Sequence, residues 1–205
     1  MIDRRPPEVS ICIPTLRGYD NLLALLRSIE AHTPVDYEVV IVDSGSRVRG
    51  FPVPMNQAMR AARARVIVGL NDDVEVTPGW IEPLVAAIDA GAWVASPDQT
   101  STDGNQCICG WCVAFNQHAL KINWLYYDER FGIWCTDVDL CKRLHADGHP
   151  PVRVAIPEPL RHQLNATTSQ PEVQDVINDE AVADLDRYER KWGSRAETDK
   201  HALAP

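Results

Sequence analysis

The stretch RVIVGLNDDV, residues 65–74, ends a short apolar run, Val66 to Leu70, abruptly in Asn71, Asp72 and Asp73. A run apolar on both faces reads as a strand of a helix-covered parallel sheet, and such sheets bind ligands beyond the carboxyl ends of their strands. Carboxylates at that tip suit Mg²⁺ or Mn²⁺, hard cations that take one or two protein carboxylates and complete their shell with phosphate and water. The same residues also make ordinary turns, because Asn and Asp bond their own backbone and stop strands.

Outward from that strand, the pattern alternates. Val9 to Pro14 reads as a first strand, and Asp20 caps a helix in which Leu22, Leu23, Leu25, Leu26 and Ile29 repeat at helical spacing. Tyr37 to Val42 reads as a second strand and Pro54 to Ala64 as a helix. After the acidic tip, Pro78 opens a helix filled by Trp80, Ile81, Leu84, Val85 and Ile88. Parallel strands need crossovers, usually helices, so this order predicts an α/β fold with a mostly parallel, Rossmann-like central sheet flanked by helices. Beyond Gly91 the rhythm loosens into strands at Trp93 to Ser96 and Cys107 to Phe115, a helix at Asp137 to Ala146 and a strand at Val152 to Ala155. Ala166 to Gln170 reads as a connector. Val173, Val176, Ile177, Ala181, Leu185, Tyr188 and Trp192 then mark an amphipathic C-terminal helix over 171–192, packed on the sheet domain or offered to a partner.

The bulk properties fit one domain over 1–205, with 9–75 and 76–165 as its successive halves before the C-terminal helix. No apolar run is long enough to span a bilayer and no apolar segment of signal type follows Met1, which predicts a cytoplasmic location. In that compartment Cys12, Cys107, Cys109, Cys112, Cys135 and Cys141 read as reduced thiols. The spacing of Cys107, Cys109 and Cys112 lacks the two separated ligand couples usual in structural zinc sites. A net charge of −9 disfavours life on a polyphosphate backbone, yet residues 1–70 carry +2 and the remainder −11. Arg47, Arg49, Arg60, Arg63 and Arg65 concentrate the positive charge just before the acidic tip, as a solvated face or an anion-binding surface.

Several signals follow in fixed order: VSICIPT at 9–15, VIVDSGS at 40–46, VGLNDDV at 68–74, CGW at 109–111 and DERFGIWCTDVDLCKRL at 128–144. In order and spacing they resemble the inverting family 2 glycosyltransferases of the GT-A fold, over Val9 to Ser169. The resemblance implies an enzyme moving a sugar from a nucleoside-diphosphate sugar to an acceptor hydroxyl. It assigns Pro14, Thr15, Asp43, Asn71 and Asp72 to the nucleotide-sugar, with Thr15 and Asp43 toward the base and Asp72 near the ribose or diphosphate. It makes Asp73 a direct ligand of Mn²⁺ or Mg²⁺, with His162 beside the metal although LRHQLNATTS around it matches loosely. Gly110, Trp111 and Trp134 fall on the sugar and acceptor side, and Asp137 matches the general base, with Thr136 where an acid usually precedes it. A base that takes the hydroxyl's proton and a metal that stabilises the departing diphosphate are what an inverting transfer requires. Against the base, Thr136 and Asp139 read as a capping box and acids favour a first helical turn; capping leaves Asp137 unassigned.

Departures bound the carry-over. Met55 stands where an Arg is common, with Arg47 or Arg49 as substitutes, and Asn71 where an Asp is common. Little chain follows His162, so acceptor recognition falls to few residues or to a homo-oligomer. The acceptor reads as a sugar or glycan, with a protein hydroxyl or a hydroxylated DNA base open. Thr15-Leu16-Arg17-Gly18 is not the glycine-rich loop of a nucleotidyltransferase, and Gly45 sits where aspartyl-phosphate chemistry on Asp43 needs a second acid. The rival of another class is a non-catalytic nucleotide-sugar-binding module.

Overall fold

A computed structural model describes residues 5–16, 19–45, 50–99, 107–163 and 171–203. Strands β1 (Val9–Thr15), β2 (Tyr37–Asp43), β3 (Val66–Leu70), β5 (Val94–Pro97), β6 (Cys112–Asn116) and β7 (Val152–Val154) form one sheet in the order β2-β1-β3-β6-β5-β7. All run in parallel except β6, which is antiparallel to both neighbours. Strands β4 (Val74–Glu75) and β8 (Arg161–His162) make a separate antiparallel ribbon. The helices are α1 (Tyr19–His32), α2 (Pro52–Ala61), α3 (Glu82–Asp89), α4 (Gln117–Ile122), α5 (Thr136–Ala146), α6 (Pro171–Trp192) and α7 (Ala196–Ala202).

The α/β sheet flanked by helices is as expected, and side-chain alternation along the strands explains its two cores. Val9, Ile11 and Ile13 of β1 and Val66, Val68 and Leu70 of β3 point to one face, with Leu22, Leu25 and Ile29 of α1 and Leu84, Val85 and Ile88 of α3. Cys12 and Ile67 point to the other, with Met55, Ala58 and Met59 of α2 and Leu140, Cys141 and Leu144 of α5. Leu25 and Ile29 are fully buried, each contributing roughly 1.5–3 kcal/mol of transfer free energy. Met55 belongs to this packing, its side chain against Gly69.

Several expectations need correction. Residues 107–111 are irregular and only Cys112–Asn116 is strand, because Cys112 is where pairing with Leu70 begins. Trp80 and Ile81 precede α3 and are buried, the Trp80 indole donating to Thr33 Oγ1 at 3.1 Å. Asp20 lies inside the first turn of α1. Cys107 and Cys141 are joined as a disulfide, their Cα atoms 6.4 Å apart, so not all six thiols are reduced; Cys12, Cys109, Cys112 and Cys135 are buried and free of disulfides. The connector at 166–170 lies outside the described residues. The C-terminal helix packs against the 131–135 loop, α5 and α7 through Phe131, Cys135, Val138, Tyr188 and Ala196, and leaves Val176, Val182 and Leu185 exposed. Among the described residues no helix is long and apolar enough to cross a membrane.

Asn56 of α2 shows how the two halves of the chain are tied. Fully buried, it donates to Tyr127 O at 2.8 Å and Glu129 Oε1 at 3.0 Å while accepting from Tyr127 N at 3.0 Å. Truncation strands the buried amide and carbonyl of Tyr127, so Asn56→Ala is expected to lower unfolding free energy by about 2–4 kcal/mol in urea melts. A loss below about 0.5 kcal/mol contradicts this reading.

Candidate active site

Register places the site. Thr15 pairs with Asp43 at the ends of β1 and β2, and Cys12 pairs with Gly69, so the Asn71–Asp73 turn emerges beside Thr15. Thr15 Oγ1 donates to Asp72 Oδ2 at 2.6 Å across the strand tips. Burial pushes the Asp72 carboxyl up to about 6, against the opposing pull of the Thr15 hydrogen bond, with the neighbouring Asp73 charge adding to the rise. Asp43 accepts from Tyr19 Oη at 2.9 Å and from the Gly45 amide at 2.7 Å, so it is held as well as turned. Pro14 stands half-buried next to Thr15.

The antiparallel direction of β6 delivers the second group of residues. Because Leu70 pairs with Cys112, the segment just before β6 lies at the acidic tip, and Asn71 N donates to Trp111 O at 3.1 Å. The Trp111 ring is stacked on His162, centroids 5.1 Å apart. His162 arrives on β8, which pairs with β4 immediately after the acidic turn; Val74 lies opposite His162 and Gln163 N donates to Asp73 O at 2.9 Å. His162 Nε2 thereby approaches Asp73 Oδ1 to 3.1 Å, yet this buried oxygen has no aligned proton donor. A carboxylate oxygen and an imidazole nitrogen facing each other in that way suit a divalent cation. Among the described residues no three His, Cys, Asp or Glu side chains form a complete cage, so Asp73 and His162 are a two-ligand set that diphosphate and water would complete.

Asp137 lies next to the same segment. A Cβ added to Gly110 would sit 2.9 Å from Asp137 Oδ2, so only glycine lets the loop and the carboxylate approach this closely. Asp137 Oδ1 accepts from Val138 N at 2.9 Å in the first turn of α5. The expected capping box is absent. Cys135 is the N-cap, in the left-handed region at φ 62°, and makes no side-chain cap bond. Asp139 is fully buried and takes Arg143 Nε at 3.0 Å, Lys191 Nζ at 2.5 Å and Trp192 Nε1 at 2.8 Å. Trp134, expected on the sugar and acceptor side, is partly buried and packs on the cluster of Phe131, Cys135, Val138, Tyr188 and Ala196.

The basic stretch is largely spoken for. Arg60 pairs with Glu129 at 3.0 Å, Arg63 with Glu38 at 2.7 Å, and Arg65 with Glu8 and Asp89. Arg47 and Arg49 lie outside the described residues. Sequence reasoning missed Tyr19 as the partner of Asp43 and the β8 strand that lifts His162; a two-residue strand has no periodicity to read.

The raised Asp72 carboxyl makes stability depend on pH with a definite sign. Between about 4 and 6 the unfolded chain loses this proton before the folded one, so stability falls as pH rises, on the order of 2–3 kcal/mol by neutrality. In EDTA, Asp72→Asn is expected to raise Tm at pH 7.5 and to leave it nearly unchanged at pH 4. Equal shifts at both pH values contradict the assignment.

Residues 47–136 match the family model Glycosyl transferase family 2. The matched part includes Asn71 to Asp73, Gly110, Trp111 and Trp134; Pro14, Thr15, Asp43, Asp137 and His162 fall outside it. Comparison with curated proteins gives no match. The fold is similar to residues 1–349 of S. aureus TarS, with TM-score 0.62 and 15% identity over 84% of this chain and 65% of that one. It is also similar to the mannosyltransferase PcManGT from Pyrobaculum calidifontis in complex with GDP-Man and Mn²⁺, at TM-score 0.60 and 16% identity over 74% of this chain and 56% of that one. GalNAc-T7 with UDP, GalNAc and Mn²⁺ gives TM-score 0.60 and 16% identity over 74% of this chain and 43% of that one. The chain thus spans less than two thirds of the length of these structures. Residues 47–136 carry the family 2 glycosyl transferase pattern that the sequence resembles, and the chain has the GT-A fold of those enzymes.

Proposed function

We propose that this protein transfers a sugar from a nucleoside-diphosphate sugar to an acceptor hydroxyl, with inversion at the anomeric carbon. The observation that carries the reading is the continuous line of contacts through Trp111. Its carbonyl takes the Asn71 amide, its ring stacks on His162 beside Asp73, and its neighbour Gly110 abuts Asp137. One segment therefore joins a diphosphate end to a base end. Neighbours of this fold bound to UDP-GlcNAc, to GDP-Man with Mn²⁺ and to UDP with Mn²⁺ support a nucleotide-sugar donor and a divalent cation.

In this reading Pro14, Thr15 and Asp43 face the nucleotide at the tips of β1 and β2, and Asn71 and Asp72 the ribose and diphosphate. Asp73 and His162 hold Mn²⁺ or Mg²⁺, which supplies Lewis-acid stabilisation of the charge that develops on the diphosphate. Asp137 accepts the proton of the acceptor hydroxyl as its oxygen bonds to the anomeric carbon; the bond from that carbon to the diphosphate oxygen breaks, and the diphosphate leaves with the electron pair. Gly110, with no side chain, lets the Trp111 segment lie close against Asp137; the acceptor we take to be a sugar or glycan hydroxyl. The pairing of Arg60, Arg63 and Arg65 with protein carboxylates speaks against a DNA acceptor, since phosphate contacts need cations free to make them.

Asp137→Asn is expected to lower sugar transfer about 10²–10⁴-fold, the usual worth of general-base catalysis, while nucleotide affinity stays within twofold. The assay is transfer of labelled sugar alongside nucleotide titration calorimetry. Undiminished turnover in this variant removes Asp137 from the role.

A further inference from the structure

Resting on that reading, the structure assigns a positioning role to Asp184, a residue of α6 remote in sequence from every site motif. Its carboxylate is fully buried. Oδ1 accepts from Gly132 N at 2.8 Å, and Oδ2 accepts from Gly132 N at 3.1 Å, Ile133 N at 2.8 Å and Trp134 N at 2.9 Å. Three successive backbone amides turned to one point form an anion-binding nest, and here the anion comes from the protein's own C-terminal helix. Arg187 Nη1 reaches Asp184 Oδ1 at 2.6 Å and Glu180 Oε2 at 2.8 Å, which balances the buried charge.

The segment so gripped leads directly into the proposed base. Cys135 follows the nest in a left-handed conformation that is unfavourable for a residue other than glycine, and Thr136 and Asp137 follow Cys135 as the first turn of α5. On its other side Gly132 O accepts from Phe51 N at 2.7 Å, at the head of α2. Gly132 is therefore clamped between the start of α2 and α6, and a Cβ there would meet Glu180 Oε2 at 2.5 Å. Asp184 sets the path of residues 132–135, and through it the height at which Asp137 stands against Gly110. It acts through the backbone and touches no reactant.

An amide side chain keeps the size of Asp184 but offers one acceptor oxygen where two serve now. In Asp184→Asn, hydrogen exchange at amides 132–134 is expected to quicken at least tenfold, and kcat for sugar transfer to fall at least tenfold with nucleotide Kd within twofold. Tyr188→Phe is the matched control. Tyr188 lies on the same helix as Asp184, and its truncation removes the 2.7 Å bond from its Oη to Asp199 of α7 while keeping the ring on Phe131, so kcat should stay within twofold of wild type at similar loss of Tm. Unchanged exchange at 132–134, or an unchanged kcat in Asp184→Asn, overturns the proposal, as does an equal kcat loss in Tyr188→Phe. A wild-type protein that binds no nucleotide and turns over no donor overturns the functional reading beneath it instead.

Discussion

The parallel pairing of β1 with both β2 and β3 is the constraint on which the rest of this molecule depends. It sets Thr15, Asp43 and the Asn71–Asp73 turn at one end of the sheet, so that a hydroxyl and three acids from segments far apart in sequence share a surface. A one-residue slip would turn the inward side chains of β3 to the other face, and the two packed cores forbid it. Precision at the site is thus a consequence of apolar burial several residues below it.

On that platform β6, which runs against its neighbours in the main sheet, does work that a wholly parallel sheet could not. Entering the sheet at Cys112, β6 begins where β3 ends, which brings Gly110 and Trp111 to the acidic turn. Trp111 then links the parts: backbone to Asn71, ring to His162, and a glycine neighbour against Asp137. The C-terminal helices supply a further layer. Asp139, two residues beyond Asp137, is buried among Arg143, Lys191 and Trp192, while Asp199 gathers Lys142, Ser194 and Tyr188. Buried carboxylates tolerate such places only when their oxygens are bonded and their charge is matched, so these networks fix geometry more than they add stability.

Much of this was legible in the chain. The strands at β1, β2 and β3 announce themselves by apolar runs with polar tips, and the helical spacing of Leu22, Leu25 and Ile29 or Leu84, Val85 and Ile88 gives the layers. Other features leave no periodic trace. The reversed direction of β6 follows from pairing, which composition does not encode, and β8 is two residues long. Asp139 read as a capping acid because first-turn acids usually are; its burial depends on Trp192 and Lys191, more than fifty positions away. The Cys107–Cys141 link likewise arises from distant segments meeting, where chain length and location argued for thiols.

The central claim is that the Asp73 and His162 pair holds a cation for a nucleoside diphosphate. Thermal unfolding of wild type and Asp73→Ala with UDP, GDP and dTDP, each with and without Mn²⁺, tests it most directly. One nucleotide should stabilise the wild type by about 2.7 kcal/mol at 100 times its Kd, only with Mn²⁺ present and only with Asp73 in place. Stabilisation that ignores either the metal or the substitution, or none from any nucleotide, contradicts the account.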